Sequence, residues 1–556
     1  MKSCLFSLTV IASLTIAGCG GGGSNNNTKT GTTYTIGGTV SDLFGSGLVL
    51  QNNGGNNLAV ITNGSFSFST AIASGSAYIV TVLTQPGSPA QSCTVKNGSG
   101  TANANVSNVL IACSGSSEWV WMGGPDTTNQ PGGYGTLGTA AAGNIPGARF
   151  DATTWTDNTG NFWLFGGDGY DSTGAAGRLN DLWKYSPTSG EWTWVNGANV
   201  VNKEGSYGTQ GTAASSNIPG ARFGAGTWTD ASGNLWLFGG YGYDSTGAEG
   251  DLNDLWKYSA GGWTWKGGSS TRSHGGTYGT QGTAASNNIP GARELGVSWT
   301  DKSGNFWLFG GSGYDSTGTE GALNDVWMYN TSSGEWTWVG GAAVVNQIGI
   351  YGTLGTAASS NIPGARGGAS RWTDASRNLW LFGGAPYSTG GATNAFNDLW
   401  EYSTSTGEWT WMSGADVVNQ NGIYGTLGTA ASTNVPGARA GGATWTDASG
   451  NFWLFGGEGY DSTGTNCTQP APCNLNDLWK YSGGQWTWMG GSETGGQTGS
   501  YGTLGTASSS SVPGGLILGS SWVDEAGNFW LFGGVAIVNN TQSGAEASNS
   551  LWEYQP

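Results

Sequence analysis

The chain has 556 residues, among them 104 Gly, 30 Trp and 15 Pro, with a formal net charge of -17 and a single His. Glycine at this density beside 12% aromatic residues fits neither a disordered tail nor a helical bundle, and leaves a turn-rich all-β protein. The acidic balance lacks the basic footprint that DNA, RNA or an anionic membrane face requires, and His274 alone cannot furnish a two-histidine metal site.

Met1 and Lys2 precede an apolar run from Leu5 to Ile16, long enough for the core of an export signal and shorter than the ~20 residues of a membrane span. The run closes on Ile16-Ala17-Gly18-Cys19, which resembles the bacterial lipobox. That resemblance implies a signal peptide over 1–18 and lipidation of Cys19 at the head of a Gly/Ser/Asn-rich tether, 19–33. Gly20 after the Cys resembles the sorting pattern of Gram-negative outer-membrane lipoproteins. The expected location is therefore the outer membrane, on its periplasmic or its cell-surface side, held through the lipid alone. Four cysteines of the exported chain suggest two disulfides, and neighbourhood favours Cys93 with Cys113 and Cys467 with Cys473, although three pairings are open.

Residues 34–115 alternate apolar and polar positions in short runs such as Tyr34 to Val40 and Tyr78 to Leu83, separated by Asn-Gly and Gly-Ser turns. This segment resembles a small Ig-like or fibronectin-like β-sandwich, which implies a stalk or spacer.

From 116 to 556 the sequence repeats about every 73 residues. An aromatic phrase ending in Gly-Gly recurs at Gly167, Gly240, Gly311, Gly384, Gly457 and Gly534. Before it stands a strand bearing Trp155 or its equivalents, and after it an Asn-Asp-Leu-Trp type strand and a Trp-x-Trp strand. All 30 Trp occupy repeat positions, so they read as layers of a core rather than as a sugar-stacking platform. Four short strands per unit, with Pro-Gly-Ala-Arg before the first, resemble the kelch repeat. The resemblance implies a six-bladed kelch-type β-propeller, related to the central domain of galactose oxidase, with loops longer than the usual kelch unit. The phase of the repeat predicts that a lone strand over 118–122 closes the last blade.

The long 2-to-3 connections carry Gly-Tyr-Asp-Ser-Thr-Gly, with Tyr170, Tyr243, Tyr314 and Tyr460, and the 4-to-1 connections are longer still. Irregular loops of this length point to a recognition face, or to a repeated structural rim. Pro-Gly-Ala-Arg sets Arg149, Arg222, Arg293, Arg366 and Arg439 at the start of the innermost strands, while the sixth repeat has Leu516. These guanidiniums are candidates for binding an acidic ligand at the channel mouth, or for bonding to a carboxylate inside the scaffold. Asp151 and Glu294 depart from the repeat and are candidates for the channel itself.

The expected function is non-enzymatic recognition or scaffolding in the bacterial cell envelope. A protein or glycan ligand binds the long-loop face of a monomer, with no cofactor and no nucleic acid. Calcium in the Gly-Tyr-Asp-Ser-Thr-Gly loops has weak support, since each loop offers one carboxylate. The alternatives are a metal-free carbohydrate-active enzyme of mutarotase or lyase type at the channel mouth, using a carboxylate with an Arg, or a purely architectural envelope protein. Copper chemistry of the galactose oxidase kind lacks its histidines.

Overall fold

The computed structural model describes residues 32–41, 43, 47–86, 91–115, 118–386, 394–464, 474–508, 510–537 and 546–556. The signal, most of the tether, Cys19, Cys467 and Cys473 lie outside the described residues. Every described element is a strand, and no described helix is long and apolar enough to cross a membrane. The chain divides into two compact units.

In the N-terminal unit, alternation of apolar and polar residues builds two four-stranded sheets. One runs Gly64–Ser67, Ile36–Ser41, Val106–Gly115, Gln91–Lys96, and its central pair is parallel. The other runs Asn56–Val60, Leu48–Asn52, Ala77–Thr84, Ser99–Thr101. Ile36, Val40, Val109 and Ile111 from the first and Leu48, Leu50 and Val80 from the second share one buried cluster. Cys93 and Cys113 form a disulfide between adjacent strands of the first sheet.

In the second unit each repeat folds into an antiparallel sheet whose strands follow chain order, as in Thr153–Thr156, Phe162–Phe165, Leu182–Ser186, Glu191–Asn196. The architecture is propeller-like. The innermost strands adjoin one another in a closed cycle: Thr153–Thr156, Gly226–Thr229, Val297–Thr300, Ser370–Thr373, Ala443–Thr446, Ser520–Val523 and back to the first. Indoles tie neighbouring sheets together, since Trp155, Trp228, Trp372 and Trp445 each donate Nε1–H to a backbone carbonyl of the following repeat. Trp119–Gly123 pairs antiparallel with Leu551–Tyr554, setting Trp119 against Tyr554 and Trp121 against Trp552. The first strand after residue 117 thereby covers the edge that the last repeat exposes.

Among the described residues the long connections are ordered by backbone hydrogen bonds, which corrects the expectation of irregular loops there. The 2-to-3 connections of the first three repeats are hairpin extensions, with Tyr170 opposite Ala176, Tyr243 opposite Glu249 and Tyr314 opposite Glu320. The 4-to-1 connections lie along the outer edge of the next repeat. Gly138, Gly211, Gly282, Gly355, Gly428 and Gly505 donate their N–H groups to the carbonyls of Trp194, Trp265, Trp338, Trp411, Trp488 and Trp121. An exposed strand edge is a template for unwanted pairing, and these segments occupy it.

Candidate functional site

The repeated arginines do not line the channel mouth, which corrects their reading as ligand-binding residues. Arg149 and Asp181 are fully buried and pair through two contacts of 2.7 Å, while Nε and Nη1 of the arginine donate to the carbonyls of Gly147 and Gly166. Asp181 accepts two more hydrogen bonds, from the Tyr134 hydroxyl at 2.6 Å and the Trp183 indole at 2.7 Å. Burial, followed by the charge of Asp181, holds the Tyr134 hydroxyl far above its ordinary pKa, so it stays a donor. Arg222, Arg293, Arg366 and Arg439 repeat this arrangement with Asp254, Asp325, Asp398 and Asp477. Each charge is neutralised within its own repeat, and the fork of the guanidinium is committed to the scaffold. In the sixth repeat Leu516 replaces the arginine and Ser550 replaces the aspartate, a paired change visible in the sequence.

Tyr170, Tyr243, Tyr314 and Tyr460 are half-buried, one in each of four repeats, and none lines the axial cavity. The aspartates beside them hold the hairpin tips. Asp171 accepts from the Thr173 N–H and hydroxyl, the Ala175 N–H and the Val201 N–H. Asp244 and Asp315 do the same with their own tips. These carboxylates are engaged by backbone donors, and among the described residues no three His, Cys, Asp or Glu side chains are placed to hold a metal ion.

The structure does bring Asp151 and Glu294 together, above Gly224. A Cβ built on Gly224 would stand 3.0 Å from Asp151 Oδ2 and 3.3 Å from Glu294 Cβ. Asp151 Oδ2, Glu294 Oε2 and Asp251 Oδ1 are buried with no hydrogen-bond partner among the described residues. Burial, then Glu294 and Asp168, pushes Asp151 well above the usual carboxylate range. Glu294 rises to about 7, chiefly through burial, with Arg178 opposing the shift and Glu320 adding to it. Asp251 rises to about 8 through burial, Glu294 and Glu320. Arg178 bridges Asp168 and Glu249, and its guanidinium lies over the rings of Phe223 and Tyr241 at 4.7 and 5.7 Å. Carboxyls that titrate near neutrality act as donor and acceptor at once, and the two rings add an aromatic wall.

Sequence reasoning missed Asp168, Arg178 and Asp251. They stand on hairpins that read as loops, at two positions where the repeats differ: Arg178 and Asp251 share one, and Asp168 shares the other with Tyr241 and Ser312.

The backbone beneath this cluster is a ring. Asp151, Gly224, Leu295, Gly368, Gly441 and Leu518, one from each repeat, have φ between 53° and 69°. Each donates its N–H to the carbonyl of the ring residue in the preceding repeat, and Asp151 donates to Leu518, which closes the circle. The ring and the inner strands line an open cavity of about 160 Å³, whose walls include Asp151, Thr154, Thr227 and Arg371. Arg371 was also missed, although it replaces the Thr or Ser of the other five repeats.

No protein-family model matches this chain, and no curated protein matches it. Among solved structures the chain resembles one titled "Structure of YjhT", at 14% identity and a TM-score of 0.44, over 73% of this chain and 95% of that one.

Proposed function

We propose that this protein is a recognition component of the bacterial cell envelope, a lipoprotein anchored through Cys19. In this reading an Ig-like or fibronectin-like spacer carries a six-bladed kelch-type β-propeller. A hydroxyl-rich glycan docks at the mouth of its axial channel. One observation carries it: positions at which the repeats differ from one another gather at one place. Asp151, Asp168 and Arg178 of the first repeat, Phe223, Tyr241 and Asp251 of the second and Glu294 of the third belong to one electrostatically coupled cluster. A scaffold does not require buried carboxyls without partners, whereas sugar hydroxyls both donate to them and accept from them. Phe223 and Tyr241, which pack under the Arg178 guanidinium, add apolar surface beside these carboxyls for the carbon face of a sugar.

The test is a glycan array probed with the purified protein and with an Asp151→Asn, Glu294→Gln variant. Binding that the variant loses supports the reading. A blank array, or binding that the variant retains in full, refutes it.

A second reading, metal-free acid–base chemistry on a sugar, is favoured by Glu294 with a pKa of about 7 beside Asp151, since a proton-transfer catalyst works best near ambient pH. NMR of any glycan found to bind separates the two, because catalysis alters anomeric or ring protons over time and binding only broadens or shifts them.

A further inference from the structure

Arg371 stands where the other repeats have Thr154, Thr227, Ser298, Thr444 and Ser521. It is the residue in register three positions along the inner strand from the ring residue Gly368, roughly 10 Å deeper in the channel. Its side chain is half-buried along the channel, and burial lowers its pKa to about 10, so it remains charged at neutral pH. One hydrogen bond is made to a protein group, from Nη1 to Ser298 Oγ at 2.6 Å. No carboxylate lies within ion-pair distance of it among the described residues. The contrast with Arg149 and its equivalents is complete, since each of those has a bidentate aspartate and two carbonyls. A half-buried charge without a counter-charge carries a desolvation cost, and a fold that already has Thr or Ser at this position in five repeats has no structural need of it.

We infer that the axial cavity is a binding site for a small monocarboxylate, held by a bidentate contact to Arg371 and flanked by the hydroxyls of the inner strands. A fork of N–H donors matches the two oxygens of a carboxylate, and a single positive charge selects a monoanion. A cavity of about 160 Å³ admits a molecule of roughly benzene's size. Asp151 also lines the cavity, and burial, then Glu294 and Asp168, raises its pKa well above the usual carboxylate range, which weakens its repulsion of such an anion. This site rests on its own residue and not on the glycan reading. A glycan that binds the mouth while acetate does not bind the cavity would refute this inference alone.

The experiment titrates the purified protein with acetate and propionate at constant ionic strength, following the melting temperature and the carboxylate signal by NMR, with chloride and the neutral analogue acetamide as controls. Arg371→Thr restores the residue type of the first, second and fifth repeats and is the key variant. The expected result is a saturable upward shift with acetate in the parent protein. Arg371→Thr shows no such shift and melts higher than the parent without acetate, and Arg371→Lys binds at least tenfold more weakly. Equal shifts in parent and Arg371→Thr, no shift in the parent, saturation by chloride at the same concentration, or an Arg371→Thr chain that fails to fold would each overturn it.

Discussion

The sixth repeat predicts what happens when the buried ion pair of any other repeat is changed. In the second repeat, Arg222 holds Asp254 through contacts of 2.6 and 2.8 Å and donates to the carbonyls of Gly220 and Gly239, both at 2.9 Å. Arg222→Leu leaves Asp254 fully buried, with only the Tyr207 hydroxyl and the Trp256 indole as donors. Removing one partner of such a pair costs about 3–5 kcal/mol, to which two carbonyls that lose their donor add about 1 kcal/mol each. Asp254→Ser costs a similar amount, because it strands the guanidinium. The double variant recreates the pairing of Leu516 with Ser550, in which the Trp552 indole donates to the Ser550 hydroxyl at 3.1 Å. Its total cost should fall below that of Arg222→Leu, to about 3–4 kcal/mol, from the two carbonyls that still lack a donor together with imperfect packing.

Urea denaturation of the four proteins, followed by Trp fluorescence, measures the cycle. The expected coupling is at least about 3 kcal/mol, and the double variant is more stable than Arg222→Leu. Additive losses would show that the pair contributes little beyond its separate contacts, and would refute the view that the five arginines are spent on the scaffold.

Stability should also respond to pH at the channel mouth. Glu294 has a folded-state pKa of about 7 against an ordinary 4.5, so the folded protein holds its proton more tightly and this contribution, about 3 kcal/mol, is present at low pH and lost as pH rises from about 4.5 through 7. Glu294→Gln should flatten that part of the urea midpoint profile, and a variant profile that parallels the parent there would contradict the assignment. At acid pH the sign reverses. Asp157, Asp230 and Asp447 are buried in part, yet hydrogen bonds from Trp163, Trp236 and Trp453, together with those from Asn161, Asn234 and Asn451, outweigh burial and lower their pKa values, so their contribution vanishes as pH falls below the usual carboxylate range. Trp119→Ala removes the ring that packs on Trp445, Phe455 and Tyr554 in the closing strand and should cost about 3–5 kcal/mol by calorimetry. A loss below about 1 kcal/mol would mean that the strand does not bear on closure. Gly224→Ala and Gly368→Ala share the left-handed backbone, worth about 1 kcal/mol each. The new Cβ meets Asp151 Oδ2 and Glu294 Cβ at 3.0 and 3.3 Å in the first case and nothing nearer than 3.7 Å in the second. Only Gly224→Ala should also perturb ligand binding at the mouth, as read on the glycan array.

The closing strand was legible in the sequence because the repeat starts and ends out of phase, and a strand must find a partner. The tryptophans were legible because a position filled once per unit has a structural cause, and Trp183, Trp256 and Trp327 are indeed fully buried. The role of Arg149 and its equivalents was not. Placement at the head of an inner strand fixes the backbone, and whether the side chain turns inward to Asp181 or outward to the channel depends on packing. The joint loss at Leu516 and Ser550 was the one sequence signal that tied arginine to aspartate. The mouth was half legible, because Asp151 and Glu294 interrupt a strand motif, whereas Arg178 and Asp251 sit in hairpins whose ladder only long-range pairing defines.

The hydrogen-bonded ring at the mouth gives the sharpest separation of scaffold from function. Its six positions share one left-handed conformation, which three repeats meet with Gly and three with Asp151, Leu295 and Leu518. A non-glycine residue there carries about 1–2 kcal/mol of backbone strain. Leu518 gains packing in return, since the nearest contact a Cβ on Gly441 would make is with its Cδ2. Asp151 gains none of that kind: its Oδ2 is buried and unpaired, and its carboxyl is pressed by Glu294 and Asp168. Asp151→Gly should therefore raise stability by about 1–3 kcal/mol, through relief of strain and of an unsatisfied buried group, while weakening glycan capture at the mouth. Urea denaturation gives the first quantity and the array the second. If Asp151→Gly destabilises the protein, the carboxyl belongs to the scaffold, and the case for a site built from the breaks in the repeat falls with it.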